Sequence, residues 1–209
     1  MDRLPHLSRA AAQVAAVLAF FTSPATLLSG CGGGDAEQGV PRRVDAVAAA
    51  PKAPVDLDAF CEVRRDAASA PEFAWPELAT PAPTMSKGWT WVNVWATWCG
   101  PCVEELPMIL SWPEALADGG ATVDIALLSA DEADATVSGF RVKHPWLPTT
   151  GRTARPGVVP GWLSDLGLDL PATLPLHLFV DPEGRVRCAR SGALQRDDRD
   201  AIATLVAAG

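Results

Sequence analysis

Two cysteines three positions apart, Cys99 and Cys102 in "WATWCGPCVEELP", carry the clearest capacity for chemistry in this chain. Such a pair can hold a metal ion, staple a fold, or pass electrons by making and breaking the bond between its sulfurs. The spacing alone permits all three. Tetrahedral zinc asks for four ligands. Cys61 and Cys188 could join the pair, but neither has a close second ligand in the sequence, and His144 and His177 stand alone. As soft thiolates the two sulfurs would also suit copper(I). The Gly100-Pro101 spacer fits redox exchange. Pro101 lacks an N–H, which costs nothing in a first helical turn, and its ring pre-sets the backbone for a helix. A cysteine at the mouth of a helix lies near unpaired N–H groups, whose partial positive charge favours the thiolate. Cys99 is therefore read as the nucleophile and Cys102 as the resolving thiol.

The flanking sequence must supply that helix mouth. "GWTWVNVWATW" (88–98) is aromatic and β-branched, as a buried strand should be. "VEELPMILSW" (103–112) continues as a helix that Pro107 should kink. "ATVDIALLSA" (121–130) reads as a second buried strand. "DEADATVSGFRVKH" (131–144) reads as a helix with acidic residues in its first turn. "EFAWPEL" (72–78) suggests a short edge strand with Phe73 and Trp75 on one side, and 145–160 a long Pro- and Gly-rich loop. "GWLSDLGLDL" (161–170) suggests a short helix. "LPLHLFVDPEGRVRCA" (174–189) predicts a hairpin turning at Asp181-Pro182-Glu183-Gly184, and "RDDRDAIATLVAA" (196–208) an amphipathic helix. That order predicts an α/β domain, a central mixed sheet with helices on both faces.

Ahead of this domain the composition changes. Residues 1–30 carry Arg3 and Arg9 before the apolar run "AAAQVAAVLAFF", which has the length of a signal peptide and is short for a membrane span. "LLSGC", ending at Cys31, resembles the lipobox of bacterial lipoproteins. The resemblance implies cleavage before Cys31 and lipidation of that cysteine, whose acyl chains would hold the protein on a membrane. Residues 31–57 lack hydrophobic periodicity and read as a flexible tether, leaving 58–209 as one domain. A net charge of −8 argues against a nucleic-acid partner. With Cys31 set aside, four of the five cysteines remain. In an exported protein the two outside the redox pair, Cys61 and Cys188, are expected to form a structural disulfide, with an electron relay as the rival reading.

"VNVWATWCGPCVEELP" resembles the signature of the thioredoxin-like superfamily, in particular its exported TlpA/ResA-like thiol–disulfide oxidoreductases; the likeness runs from about Phe73 to the C-terminus. It implies a thioredoxin-like fold and no cofactor beyond the Cys99–Cys102 disulfide. It also implies that Pro175 in "TLPLHLF" is preceded by a cis bond and shapes the substrate groove with the Leu174 backbone, beside Trp98, Gly100 and Pro101. Asn93 falls where ordinary thioredoxins carry a buried aspartate, a departure shared with the exported branch. Glu105 matches a glutamate of that branch and is the candidate acid/base group, since burial near thiols would raise its pKa. The plainer alternative is that Glu104 and Glu105 sit in a first turn favoured by the helix dipole. Trp98 is expected to offer an apolar platform to a partner, and Trp89, Trp91 and Trp95 to lie in the core.

The expected function is a membrane-tethered, periplasm-facing thiol–disulfide oxidoreductase. It would reduce disulfides of exported proteins, for example in cytochrome c maturation, and be recharged by an upstream electron donor. The alternatives are a copper(I)-delivery module using the same thiolates, and a peroxidase of peroxiredoxin type. "TWCGPC" lacks the Thr-x-x-Cys arrangement the latter would need.

Overall fold

A seven-residue run with both faces apolar must lie inside a sheet, and Trp89–Trp95 (β2) does so with every residue buried. In the computed structural model, which describes residues 54–155 and 157–208, β2 is a central strand of a six-stranded sheet. The elements in chain order are α1 (Leu57–Phe60), β1 (Val63–Arg64), β2, α2 (Gly100–Ile109), α3 (Trp112–Asp118), β3 (Val123–Ser129), α4 (Asp134–Lys143), β4 (Gly151–Arg152), α5 (Val158–Asp165), β5 (Leu176–Val180), β6 (Val186–Ser191) and α6 (Asp198–Ala207). The strand order is β1-β6-β5-β2-β3-β4. β2, β3 and β4 run parallel, whereas β5 and β6 form an antiparallel hairpin against β2, and β1 pairs antiparallel with β6.

Strand alternation divides the core. Trp91 and Trp95 of β2 and Phe179 of β5 point to one face, where they meet Cys102, Leu106 and Ile109 of α2, Trp112 of α3 and Ile202 of α6. Val92, Val94, Leu176 and Leu178 point to the other, against Val159, Trp162 and Leu163 of α5. Helices thus cover both faces. The turn at Asp181–Gly184 closes as its sequence implies: Gly184 has φ 77°, and Asp181 Oδ1 accepts the Arg185 N–H at 2.8 Å. Cys61 and Cys188 are joined, S–S 2.02 Å, which ties the segment after α1 to β6.

Four local expectations change. The segment 72–78 makes only isolated bridges, Glu72 to Arg185 and Leu78 to Thr153, because Pro71 and Pro76 deprive it of N–H groups for a ladder. Phe73 and Trp75 still pack inward, edge to face at 4.9 Å, and the sheet edge there is β1. The single helix expected over 103–112 is two. Pro107 sits on the exposed side of α2, which ends two residues later, and Pro113 opens α3 in its first turn. The loop 145–160 contains β4, and α5 begins at Val158, ahead of its end. α1 takes in Leu57, the last tether residue of the sequence reading, with Asp56 capping it through the Asp58 and Ala59 N–H groups. The expected signal peptide and the expected lipidation site, Cys31, lie outside the described residues.

Candidate functional site

β2 ends at Trp95, and four residues later Cys99 caps α2. Its sulfur accepts a hydrogen bond from the Cys102 N–H at 3.3 Å, so it sits at the end of the helix where partial positive charge collects. The two sulfurs are bonded to each other, 2.01 Å apart. Cys99 is 6% exposed and Cys102 not at all. Attack from solvent therefore reaches the Cys99 side first. Gly100 begins α2, and a side chain added there would meet nothing within 4 Å.

The approach to Cys99 is held rigid from behind. Asp131, buried just beyond β3, accepts the Thr97 N–H at 3.0 Å, the Thr97 hydroxyl at 2.6 Å and the Ser129 hydroxyl at 2.7 Å. Arg152, from β4, donates to the carbonyls of Asp131, Glu132 and Thr153 and pairs with Asp134. The loop carrying Thr97 and the loop after β3 are fastened together. Trp98, between the fastened Thr97 and Cys99, is 69% exposed. With Leu174, Val159, Pro160 and Ala172 it walls a cavity of about 290 Å³. The Leu174–Pro175 peptide is cis, and Pro175 is buried.

Beneath the disulfide, one turn along α2 from Cys102, Glu105 is 4% exposed. Its Oε1 accepts from Asn93 Nδ2 at 3.1 Å and its Oε2 from the Leu194 N–H at 2.8 Å. Burial pushes its pKa up to about 7, against the pull of those two donors and of Arg190. Glu105 is therefore no solvated first-turn residue, whereas Glu104 is exposed. His177 lies 3.6 Å from Glu105 Oε1, fully buried, and burial holds its pKa down to about 3. A shallow cavity of about 240 Å³, lined by Glu104, Glu105, Met108 and Arg196, opens from the Glu105 side to the surface.

Cys99, Cys102, Glu105, Gly100 and Pro101 thus share the first two turns of α2, and Trp98 and Leu174 share one cavity. Trp89, Trp91 and Trp95 lie in the core. Cys61–Cys188 joins the residue after α1 to β6 and is not part of α2. Sequence reasoning missed Asp131, the partnership of Asn93 with Glu105, and His177. Alternation along β2 could have placed Trp91 and Asn93 on one face, but nothing in the sequence gave the hairpin register that sets His177 opposite Asn93.

A mixed sheet flanked by helices, with a cysteine pair at a helix mouth and a cis-proline loop, defines the thioredoxin-like fold, and this chain has it. No family model matches the chain. A 51-residue stretch is 41% identical to a thioredoxin of Alicyclobacillus acidocaldarius subsp. acidocaldarius; it takes in 24% of this chain and 46% of that protein, so the chain spans under half of the curated relative it matches. Among solved structures, a secreted thiol-disulfide isomerase from Corynebacterium glutamicum superposes with a TM-score of 0.51 at 17% identity, covering 69% of this chain and 91% of that one. A DsbF homologue from Corynebacterium diphtheriae gives 0.49 at 17% identity, over 67% and 89% of the two chains.

Proposed function

We propose that this protein is an extracytoplasmic thiol–disulfide oxidoreductase that exchanges disulfides with protein partners through Cys99 and Cys102. The observation that carries the reading is the helix-capping position of Cys99, the more exposed residue of a joined pair, next to Trp98, which shares a cavity with Leu174 of the cis-proline loop. In the reductive direction the reduced pair begins the cycle. The Cys99 thiolate attacks one sulfur of a partner disulfide, forming a mixed disulfide and releasing the other partner sulfur as a thiolate. Glu105, as carboxylate, takes the proton of the Cys102 thiol, directly or through water. The Cys102 thiolate then attacks Cys99 Sγ, closing the Cys99–Cys102 disulfide and expelling the second partner thiolate. Two electrons pass to the partner, and an upstream dithiol returns them. Trp98, Gly100, Pro101 and Leu174 form the docking surface for an extended peptide, and the buried cis-Pro175 shapes it.

Insulin reduction by the purified protein with a dithiol donor tests this. Cys99→Ser is expected to abolish turnover, and Cys102→Ser to accumulate a mixed disulfide with the substrate. Turnover that survives Cys99→Ser overturns the reading. A reduction potential near thioredoxin's, about −270 mV, supports the reductive direction; one near about −120 mV reverses it. The finer assignment is a periplasm-facing lipoprotein, anchored through Cys31, that reduces disulfides of exported proteins such as those of cytochrome c maturation. It rests on the sequence of residues 27–31 and on the resemblance of the cysteine motif. Fatty-acid labelling that is equal in wild type and Cys31→Ala removes the anchor. We assign Cys61–Cys188 a structural role. Mass mapping under mild reductant is expected to find it closed after Cys99–Cys102 has opened, and simultaneous opening overturns that.

A further inference from the structure

An indole N–H can only donate a hydrogen bond, and a backbone carbonyl can only accept one. His177 lies between one of each. Trp91 Nε1 stands 3.2 Å from His177 Nδ1, and the Gly192 carbonyl oxygen stands 3.2 Å from His177 Nε2. Nδ1 must therefore present its lone pair and Nε2 must carry the hydrogen, which fixes one neutral tautomer.

That tautomer dictates the orientation of a neighbour. Asn93 and His177 are directly opposed across β2 and β5, and an Asn93 amide atom lies 3.3 Å from Nδ1. Facing a lone pair, that atom must be the amide nitrogen. The other hydrogen of the same NH2 group then points at Glu105 Oε1, 3.1 Å away. Donors and acceptors run one way through Trp91 and Asn93 to their acceptors, and Asn93 Oδ1 is left buried without a partner. A buried orphan acceptor carries a cost. Turning the amide over would set its oxygen against two acceptors, which Glu105 tolerates only when protonated.

We infer that His177 is a positioning residue: its tautomer-fixed Nδ1 holds the Asn93 amide nitrogen toward Glu105 and thereby keeps a hydrogen-bond donor on that carboxylate. As a device for proton transfer from Cys102, the arrangement rests on the function proposed above; as a hydrogen-bond arrangement, it stands on the distances. The groups facing Glu105 account for its state. From β2 comes the Asn93 amide, and from β5 the neutral His177 ring. Arg190 of β6 favours the carboxylate, and Asp198 of α6, itself 3.5 Å from Arg190, opposes it. The Leu194 N–H donates at 2.8 Å. With the amide turned, desolvation would meet one donor fewer.

The test is a carboxyl titration by carbon-13 NMR on full-length protein labelled at glutamate, with Glu105→Gln identifying the signal. In wild type the Glu105 midpoint is expected near 7. His177→Leu is expected to raise it by about one unit, a tenfold fall in the ratio of carboxylate to acid. His177→Gln, whose side-chain oxygen can accept from both donors, is expected to restore the wild-type midpoint. A folded His177→Leu protein with an unmoved midpoint overturns the inference, as does a Gln variant that shifts as far as Leu. Should His177→Leu fail to fold, nitrogen-15 shifts of the histidines in wild type decide, since an Nδ1–H form of His177 near neutrality overturns it as well. Insulin reduction separates the two readings. A raised midpoint with unchanged turnover upholds the positioning role and removes Glu105 from the proposed reaction.

Discussion

Glu105 and His177, both buried on one face of the sheet, titrate in opposite senses, and the stability of the oxidised protein should record it. Glu105 is raised from 4.5 to about 7, so the folded chain keeps a proton that the unfolded chain has released. The stability this supplies is complete below the unfolded value and is lost as pH rises through about 7. His177 is lowered from 6.5 to about 3, so stability is lost as pH falls from 6.5, where the unfolded imidazole takes a proton that the buried ring refuses. Glu105→Gln removes the first effect. Compared with wild type, that variant is expected to gain up to about 3 kcal/mol between about pH 4 and about pH 8 in urea unfolding, and to show the undiluted acid loss of His177. Equal pH profiles for the two proteins would place Glu105 in solvent. The roles of Cys99 and Cys102 were legible because their chemistry is local, set by three residues of spacing and one helix start. The Asn93–His177 pairing was not legible, because it depends on the register of strands far apart in sequence.

The elements around the helix mouth hold it through a few buried polar groups. Asp131 gathers three donors from the end of β3 and the loop before Cys99. Asp131→Ala leaves the Thr97 N–H and the two hydroxyls without an acceptor. It is expected to cost about 1–3 kcal/mol in chemical denaturation. The same release should broaden the backbone amide signals of 96–99 in NMR spectra while those of β5 and β6 keep their line widths. Uniform broadening, or none, contradicts a local clamp. β2, β3, the hairpin and α6 could be read locally, the strands from unbroken apolar or β-branched runs, the hairpin from its turn residues and α6 from its amphipathic spacing. β4 could not: two residues hold no period, and Gly151 earns its place by close approach, since a side chain there would strike the Pro83 ring at 2.8 Å. The segment 72–78 misled for a related reason. It alternates like a strand to pack Phe73 and Trp75, yet its prolines deny it a ladder.

For the whole molecule, Cys61–Cys188 spans a sequence separation of 127 residues and borders the same core cluster as the redox pair. On the chain-entropy model, closing such a loop stabilises by about 4–5 kcal/mol. Replacing both cysteines by alanine is expected to lower the thermal midpoint markedly while insulin reduction persists below the new midpoint. Activity lost in a protein that is still folded would instead support the electron relay. A chain beginning at Pro54 is expected to fold and to reduce insulin as the full chain does, since among the described residues both core clusters are built from Val55 onward. Failure of that fragment to fold would show that the preceding residues contribute to the core.

The empty space beside Gly100 has a practical consequence. Within the folded chain position 100 is free of steric duty, so a side chain that a docking partner tolerates can be chosen there for its electrical effect. A cation grafted there would steady the neighbouring thiolate and turn the molecule toward accepting electrons; an anion would unsettle it and strengthen its drive to give them away. One codon could then retune the driving voltage of the whole protein without disturbing its architecture.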